Sequence, residues 1–298
     1  MTALEPVAGV PDSGRVLDCG GRPLDLGRAA VMGILNITPD SFSDGGVFFA
    51  PERAVEHALA MVGEGADIID IGGESTRPGA QAVSAAEEIR RIVPIIQALV
   101  RAVPVPVSVD TSKPEVMRAA AAAGAGMIND VMALRAAGAL EAASELGLPV
   151  CLMHMQGEPR TMQRHPRYGD VVGEVLGFLR ARIDACVGAG IPRDRLIADP
   201  GFGFGKTLTH NLELLRKLPD FKALQVPILA GLSRKSLIGA VLGLPVSERL
   251  YASVALAVCA VQNGAAMVRV HDVRPTREAI RMLEAVIGCG CGQSTTME

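Results

Sequence analysis

The 298-residue sequence lacks the marks of several protein classes. Its formal net charge of -3 leaves no basic excess, which argues against a general nucleic-acid binder. No apolar run reaches the ~18 residues of a membrane span without a charge, a proline or a glycine. Residues 1–12 also lack the basic start and apolar core of a signal peptide. We therefore expect a protein that binds neither nucleic acid nor membrane.

Paired cysteines are absent as well. The six cysteines are scattered and form no C-x-x-C pair, a pattern that fits reduced thiols better than a disulfide framework. Without a signal peptide, this pattern predicts a cytoplasmic location. A hydrophobic content of 49% with 20% charged residues is typical of a globular protein with a large core.

Short apolar runs alternate along the chain with longer stretches of helical spacing. The runs are Ala30–Leu35, Asp67–Ile71, Val105–Val109, Met127–Ile128, Pro149–Met153, Leu196–Ala198, Val226–Ala230 and Ala265–Val270. Strands that are apolar on both faces and alternate with helices indicate a parallel sheet. Eight such units within about 250 residues predict an α/β fold, the (β/α)₈ TIM barrel. An open, doubly wound sheet is the alternative, but it would not readily use eight evenly spread strands.

The segment before the first of these runs predicts a short β-hairpin at residues 15–28, with its turn at Gly20 and Gly21. We expect it to cover the bottom of the barrel. No internal linker interrupts the rhythm, so residues 15–287 are predicted to form a single domain. Residues 1–14 and 288–298 are expected to be flexible ends.

Polar residues follow the predicted strands at the end where such barrels hold their active sites. Asp110, Asn129 and Asp199 end the third, fourth and sixth strands, and they suit the donor-rich edge of a nitrogen heterocycle. Asn36 ends the first strand and opens a polar loop whose oxygens suit a hard cation such as Mg²⁺.

Cationic residues follow the other strands. Arg77 lies in a glycine-rich loop after the second strand, and Arg269 and His271 share one face of the eighth, which suits a phosphate or pyrophosphate. A structural salt bridge is the alternative role for Arg269. At the turn Gly231–Ser236, two cations precede a predicted helix, and a helix N-terminus favours anions. A solvated basic turn is the alternative there.

The glycine-rich segment 200–206 contains Gly205-Lys206-Thr207 and invites a phosphate-loop interpretation. The spacing fails, because Pro200 stands where the first glycine is required. We expect the glycines instead to let the backbone and Phe204 approach a flat ligand. His154, after the fifth strand, is either structural or at the rim of the site.

These motifs together resemble the dihydropteroate synthases, over about residues 33–286. The resemblance rests on segments 35–46, 72–79, 108–111, 129–130, 152–157, 199–206, 233–236 and 269–272. It implies condensation of 6-hydroxymethyl-7,8-dihydropterin diphosphate with p-aminobenzoate, giving 7,8-dihydropteroate and pyrophosphate, with sulfonamides competing. It also implies a homodimer.

The resemblance implies roles for particular residues. Asp110, Asn129, Asp199 and Lys235 would bind the pterin, and Met153 and Ser233 would also contact substrate. Asn36 with Mg²⁺, Arg77, Arg269 and His271 would surround the diphosphate. Thr76, Pro78, Phe204, Lys235 and Ser236 would form the p-aminobenzoate site. The catalytic set is Lys235, Arg269, His271, Asp110, Asp199 and Arg77, while Arg234 would support the pocket.

Two other functions remain open at this stage. A pterin-binding methyltransferase resembles the same barrel and shares the Asp/Asn/Asp pocket, but it would pass a methyl group to a cobalamin partner. A non-catalytic paralogue would bind the pterin without turnover.

Overall fold

The computed structural model describes residues 15–37, 51–75, 82–158 and 161–288. Its strands are β1 (Val16–Asp18), β2 (Pro23–Asp25), β3 (Ala30–Asn36), β4 (Ile68–Gly72), β5 (Val107–Asp110), β6 (Met127–Asp130), β7 (Val150–Met153), β8 (Leu196–Asp199), β9 (Leu229–Ala230) and β10 (Met267–Val270). Its α-helices are α1 (Pro51–Gly63), α2 (Ala85–Ala102), α3 (Pro114–Ala122), α4 (Ala139–Leu146), α5 (Val171–Gly188), α6 (Leu208–Arg216), α7 (Ser236–Leu242), α8 (Leu250–Gln262) and α9 (Val273–Gly288).

The eight strands from β3 to β10 are all parallel and lie in the order β8-β7-β6-β5-β4-β3-β10-β9. The two ends of this sheet meet, because Ala198 pairs with Ile228 and its N–H donates to the Pro227 carbonyl at 2.9 Å. The predicted (β/α)₈ barrel is confirmed, and the open sheet is wrong. The seventh strand is shorter than Val226–Ala230, since Pro227 has no N–H to donate.

The predicted hairpin is confirmed as the antiparallel pair of β1 and β2, with Leu17 opposite Leu24. Both leucines are buried against the start of the barrel strands, including Met127 and Met267. The contact depends on Gly126, because a Cβ there would lie 2.1 Å from the Cys19 carbonyl oxygen. The hairpin therefore closes the bottom of the barrel.

The alternation of side chains along each strand determines which residues fill the interior of the barrel above the hairpin. Side chains alternate between the two faces of a strand, so the residue two positions after each inward-facing apolar residue also faces inward. The first inward layer is apolar on seven strands, namely at Met32, Ile68, Met127, Cys151, Ile197, Leu229 and Met267, and carries Ser108 on β5. Two positions further on, Ile34, Asp70, Asp110, Asn129, Met153, Asp199, Gly231 and Arg269 face inward in the same phase. A polar layer therefore lies at the carboxyl ends of the strands.

The outward-facing residues of the strands pack against the helices. In α2, a helical stripe of Ile92, Ile95, Ile96 and Leu99 is buried in the main hydrophobic core. Ser84 caps that helix by accepting a hydrogen bond from the Glu87 N–H at 3.3 Å. Within the described ranges, no helix combines the length and the apolar character needed to cross a membrane.

Candidate active site

Arg269 is the centre of the polar layer and joins three strands. Its Nε lies 2.6 Å from Asp70 Oδ2, and its Nη2 lies 2.9 Å from Asp110 Oδ2. Asn129 Nδ2 donates to the same Asp70 oxygen at 3.1 Å. The structural role considered for Arg269 is thus real, yet a guanidinium has five N–H donors and these two ion pairs use two of them.

Two carboxylate oxygens of this layer remain as acceptors. Among the described residues, Asp70 Oδ1 and Asp110 Oδ1 are buried and accept no hydrogen bond. Buried oxygens normally have a partner, so these atoms suit the donors of a ligand. Burial raises the pKa of Asp110 to about 7; Arg269 opposes this shift, while Asp70 adds to it.

Lys235 and Asp199 form the second half of the layer. Lys235 Nζ donates to the Phe202 carbonyl and lies 4.6 Å from the centre of the Phe204 ring. Burial lowers the pKa of Lys235 to about 8, although Asp199 opposes the shift. Burial also raises the pKa of Asp199, against the effect of Lys235. The pair places opposite charges beside an aromatic ring.

Glycines in the loop between β8 and α6 allow the backbone of that loop to lie close to the Lys235 side chain. Gly203 has a φ of 79°, and a Cβ there would lie 2.9 Å from Lys235 Cδ. Phe204 packs against an apolar cluster that contains Met153, which is 3% exposed. Met153 and Phe204 therefore give one side of the site an apolar wall, as expected for a flat ligand.

The turn Gly231–Ser236 is tied to the end of β10. Ser233 Oγ lies 3.0 Å from His271 Nδ1 and accepts a hydrogen bond from the His271 N–H at 3.2 Å. Arg234 forms a two-point ion pair with Asp272, at 2.5 and 3.0 Å. Arg234 is thus engaged in holding the turn, which agrees with a supporting role. Ser236 is exposed and begins α7.

Asn36 is partly exposed at the end of β3, in the inward-facing phase of that strand. Among the described residues, no group of three or more His, Cys, Asp or Glu side chains is arranged to hold a metal. Mg²⁺ in phosphate-binding sites takes many of its ligands from phosphate and water. The amide oxygen of Asn36 fits that kind of site, as a single protein ligand.

Thr76, Arg77 and Pro78 lie outside the described residues, so their predicted roles stay predictions. The residues before and after this segment are held by Glu74, whose Oε1 accepts from the Val83 N–H at 3.1 Å. Lys113 Nζ donates to Glu74 and lies 2.6 Å from Glu88, which is fully buried.

Asp70 is the site residue to which sequence reasoning assigned no role. It is fully buried, and both Arg269 and Asn129 contact it. The sequence contains a signal that Asp70 faces the interior of the barrel. Asp70 follows Ile68 by two positions, as Arg269 follows Met267, and residues two positions apart on a strand share a face. The structure thus brings together Asp70, Asp110, Asn129 and Arg269, and beside Asp199 it brings together Met153, Phe204 and Lys235.

The fold and this polar layer define a pterin-binding barrel enzyme, since residues 32–271 match the family described as "Pterin binding enzyme". Dihydropteroate synthase of Escherichia coli K12 is 54% identical over 267 residues, which cover 90% of this chain and 95% of that protein. The chain belongs to the dihydropteroate synthase family, and the protein is a transferase of folate biosynthesis.

Solved structures agree with this family. Xanthomonas albilineans dihydropteroate synthase with 4-aminobenzoic acid is 55% identical, with a TM-score of 0.87 and coverage of 91% of this chain and 98% of that one. A second structure of the enzyme from that organism, in complex with 7,8-dihydropteroate, is 52% identical, with a TM-score of 0.84 and coverage of 91% and 98%.

Proposed function

We propose that the protein condenses 6-hydroxymethyl-7,8-dihydropterin diphosphate with p-aminobenzoate, releasing pyrophosphate and forming 7,8-dihydropteroate. The observation that carries this reaction is the polar layer in which Arg269 forms ion pairs with Asp70 and Asp110, beside the opposite charges of Lys235 and Asp199. Related structures that contain 4-aminobenzoic acid and 7,8-dihydropteroate support the substrate and the product.

The carboxylates and the amide recognise the pterin. Asp110 Oδ1 is a buried acceptor for ring or exocyclic N–H donors, and Asn129 and Asp199 add further polar contacts around the ring. Lys235 supplies a cation next to the apolar wall of Met153 and Phe204. This arrangement suits a flat heterocycle with a polar edge.

The side chains at the end of β10 receive the diphosphate. Breaking the CH₂–O bond sends its electron pair to the departing pyrophosphate, whose negative charge Arg269 and His271 stabilise. Arg77 is proposed to assist from its loop. Mg²⁺, held by phosphate oxygens and Asn36, would neutralise further charge on the leaving group.

The remaining methylene carbon is cationic, and the pterin ring delocalises its charge beside Asp110 and Asp199. The aryl amine then attacks this carbon, so that a C–N bond forms and the extra amine proton is lost to a base such as the pyrophosphate. Ser236, at the start of α7, is proposed to hold the carboxylate of p-aminobenzoate, and Thr76 and Pro78 are proposed to belong to the same substrate site. Sulfonamides would compete at this position.

Pyrophosphate release tests this function against its two rivals. The protein is mixed with Mg²⁺ and the pterin diphosphate, with and without p-aminobenzoate. We expect release that depends on p-aminobenzoate. Tight pterin binding without release would instead support the non-catalytic paralogue. Methyl transfer from a methylated pterin to cobalamin, with no pyrophosphate formed, would support the methyltransferase.

The pH dependence of kcat/KM is a further prediction. Asp110, with its pKa raised to about 7, must lose its proton to hold the pterin and its cationic carbon. Lys235, with its pKa lowered to about 8, must keep its proton. We expect kcat/KM to fall on the acidic side of about 7 and on the alkaline side of about 8, which initial rates across neutral pH would measure. A flat profile would contradict these assignments.

We also propose a homodimer formed through the surface of α7, α8 and α9. The 13-residue helix α8 carries no charged residue, and Tyr251 on it is 85% exposed. A helix that is apolar on all sides is usually buried. Large apolar side chains are also exposed on the neighbouring elements, namely Val241, Leu242, Val246, Met282 and Val286.

Sedimentation equilibrium checks the dimer. We expect the wild-type protein to have twice its chain mass of 31.1 kDa, and Tyr251→Asp to have the mass of one chain. Leu59→Asp, at a 44% exposed position on α1, is the matched control and should remain dimeric. A monomeric wild-type protein would contradict the proposed dimer. A cytoplasmic location is proposed as well, in keeping with the free thiols of Cys19, Cys151, Cys186 and Cys259.

A further inference from the structure

Lys206 is a buried lysine to which the reaction above assigns no role; burial lowers its pKa to about 7, although Asp199 opposes the shift. Its side chain is 3% exposed, and its Nζ lies 2.9 Å from His154 Nδ1 and 3.3 Å from the His154 carbonyl oxygen. The same Nζ donates to the carbonyls of Gly201 at 2.9 Å and Phe204 at 3.0 Å. Lys206 therefore points into the protein and is not the phosphate-binding lysine of a P-loop.

A buried ammonium needs acceptors on several sides, because leaving it unpaired is costly. Here the acceptors come from the loop between β8 and α6 and from His154 after β7, so the loop curves around Nζ. Gly201 follows the curve with a φ of 71°, and a Cβ there would lie 1.8 Å from the His154 carbonyl oxygen. His154 must be neutral at Nδ1 to accept from Lys206, and burial lowers its pKa to about 3, an effect to which Lys206 adds.

The loop around Lys206 also shapes the active site. Asp199, at its start, accepts a hydrogen bond from the Gly201 N–H at 2.7 Å. The carbonyl of Phe202 binds Lys235 Nζ, and the ring of Phe204 lies 4.6 Å from that atom. Lys206 binds the carbonyls of Gly201 and Phe204. Each of these three contacts is therefore made by one of these two residues or by Phe202, which follows Gly201.

We propose that Lys206 is a positioning residue whose ammonium shapes the 199–205 loop and so sets Asp199 and Phe204 against Lys235. Its charge also acts on Asp199, where it favours the carboxylate that burial disfavours. This role rests on the proposed reaction, in which Asp199 and Phe204 contact substrate. The groups proposed to hold the diphosphate, Arg269 and His271, belong to β10 and its end, and they contact Asp70, Asp110 and Ser233, which lie outside this loop.

The test uses ligand binding to distinguish two parts of the site. One contains Asp199, Phe204 and Lys235, and the other contains the diphosphate-binding residues Arg269 and His271. Lys206→Met keeps an unbranched side chain close to the length of the lysine stem but removes the ammonium, and Lys222→Met, on the exposed surface, is the control. Calorimetry measures the affinity for pyrophosphate with Mg²⁺, and steady-state kinetics gives KM for p-aminobenzoate and for the pterin diphosphate. Circular dichroism confirms that each variant is folded.

For Lys206→Met we expect both KM values to rise about tenfold or more, the effect of losing hydrogen bonds from a charged group. The affinity for pyrophosphate should stay within about twofold of wild type, because Arg269 and His271, which are proposed to bind it, lie on and just after β10 and not in the 199–205 loop. Lys206→Gln, whose amide can still donate to two carbonyls, should recover part of the loss. If Lys206→Met does not fold, Lys206→Gln is used for the same comparison of KM values and pyrophosphate affinity.

Unchanged KM values in a folded Lys206→Met or Lys206→Gln protein would overturn this role. An equal loss of affinity for all three ligands would also overturn it, since that pattern indicates general disruption of the fold. Failure of the proposed reaction is a separate result, because it would be seen in the wild-type protein as no pyrophosphate release.

Discussion

Arg269→Ala is expected to lower kcat by at least about a hundredfold, the usual loss when one strong charge-stabilising group is removed. The guanidinium faces the departing pyrophosphate in the proposed reaction, and it also holds Asp70 at 2.6 Å and Asp110 at 2.9 Å. Without it, two buried carboxylates lose their counter-ion. Unpaired, they would repel the diphosphate and misplace the pterin.

The same substitution is expected to destabilise the protein, by about 3–5 kcal/mol if the partners stay ionised. Activity must therefore be measured at a temperature where circular dichroism shows the variant to be folded. Arg101→Ala removes an exposed arginine from α2 and should leave both kcat and the melting temperature close to wild type. Near-normal turnover of folded Arg269→Ala would show that this arginine does not stabilise the leaving group.

Lys235→Ala is expected to have an effect of similar size, a loss of about 10²–10³ in kcat/KM. The ammonium lies between the Phe202 carbonyl and the Phe204 ring, and it opposes the rise that burial causes in the pKa of Asp199. Its removal leaves Asp199 without its main counter-charge and opens the boundary between the two substrate pockets. Both substrates should bind more weakly.

Steady-state kinetics with each substrate varied in turn measures this loss, and Lys222→Ala is the control at an exposed lysine. An increase in KM for only one substrate would assign Lys235 to a single pocket. Wild-type values for both substrates would remove Lys235 from the site altogether.

Much of the barrel was predictable, because strands buried on both faces are recognisable as short apolar runs between helical patterns. The position of Asp110, Asn129 and Asp199 followed from the same rule, since the carboxyl ends of parallel strands meet. The short seventh strand was not foreseen, although Pro227 marks a missing donor. Such strand ends depend on hydrogen bonding across the barrel, which local sequence does not show.

The partners of the charged residues were harder to predict. Arg269 was expected near a diphosphate. It also forms ion pairs with Asp70 and Asp110, which precede it in the sequence by 199 and 159 positions. Lys206 stood in an apparent phosphate motif, yet its Nζ turns inward to His154 and two backbone carbonyls. Sequence motifs identify which groups carry charge, whereas only the packed barrel decides which charges meet.

The order of bond breaking and bond making tests the central claim that this arrangement of charges supports a cationic pterin carbon. Rapid-quench measurements would give the rate of the chemical step for a series of ring-substituted p-aminobenzoates of different amine basicity. Because the CH₂–O bond breaks first in the proposed path, we expect this rate to be nearly independent of basicity. A rate that rises steeply with amine basicity would contradict the account.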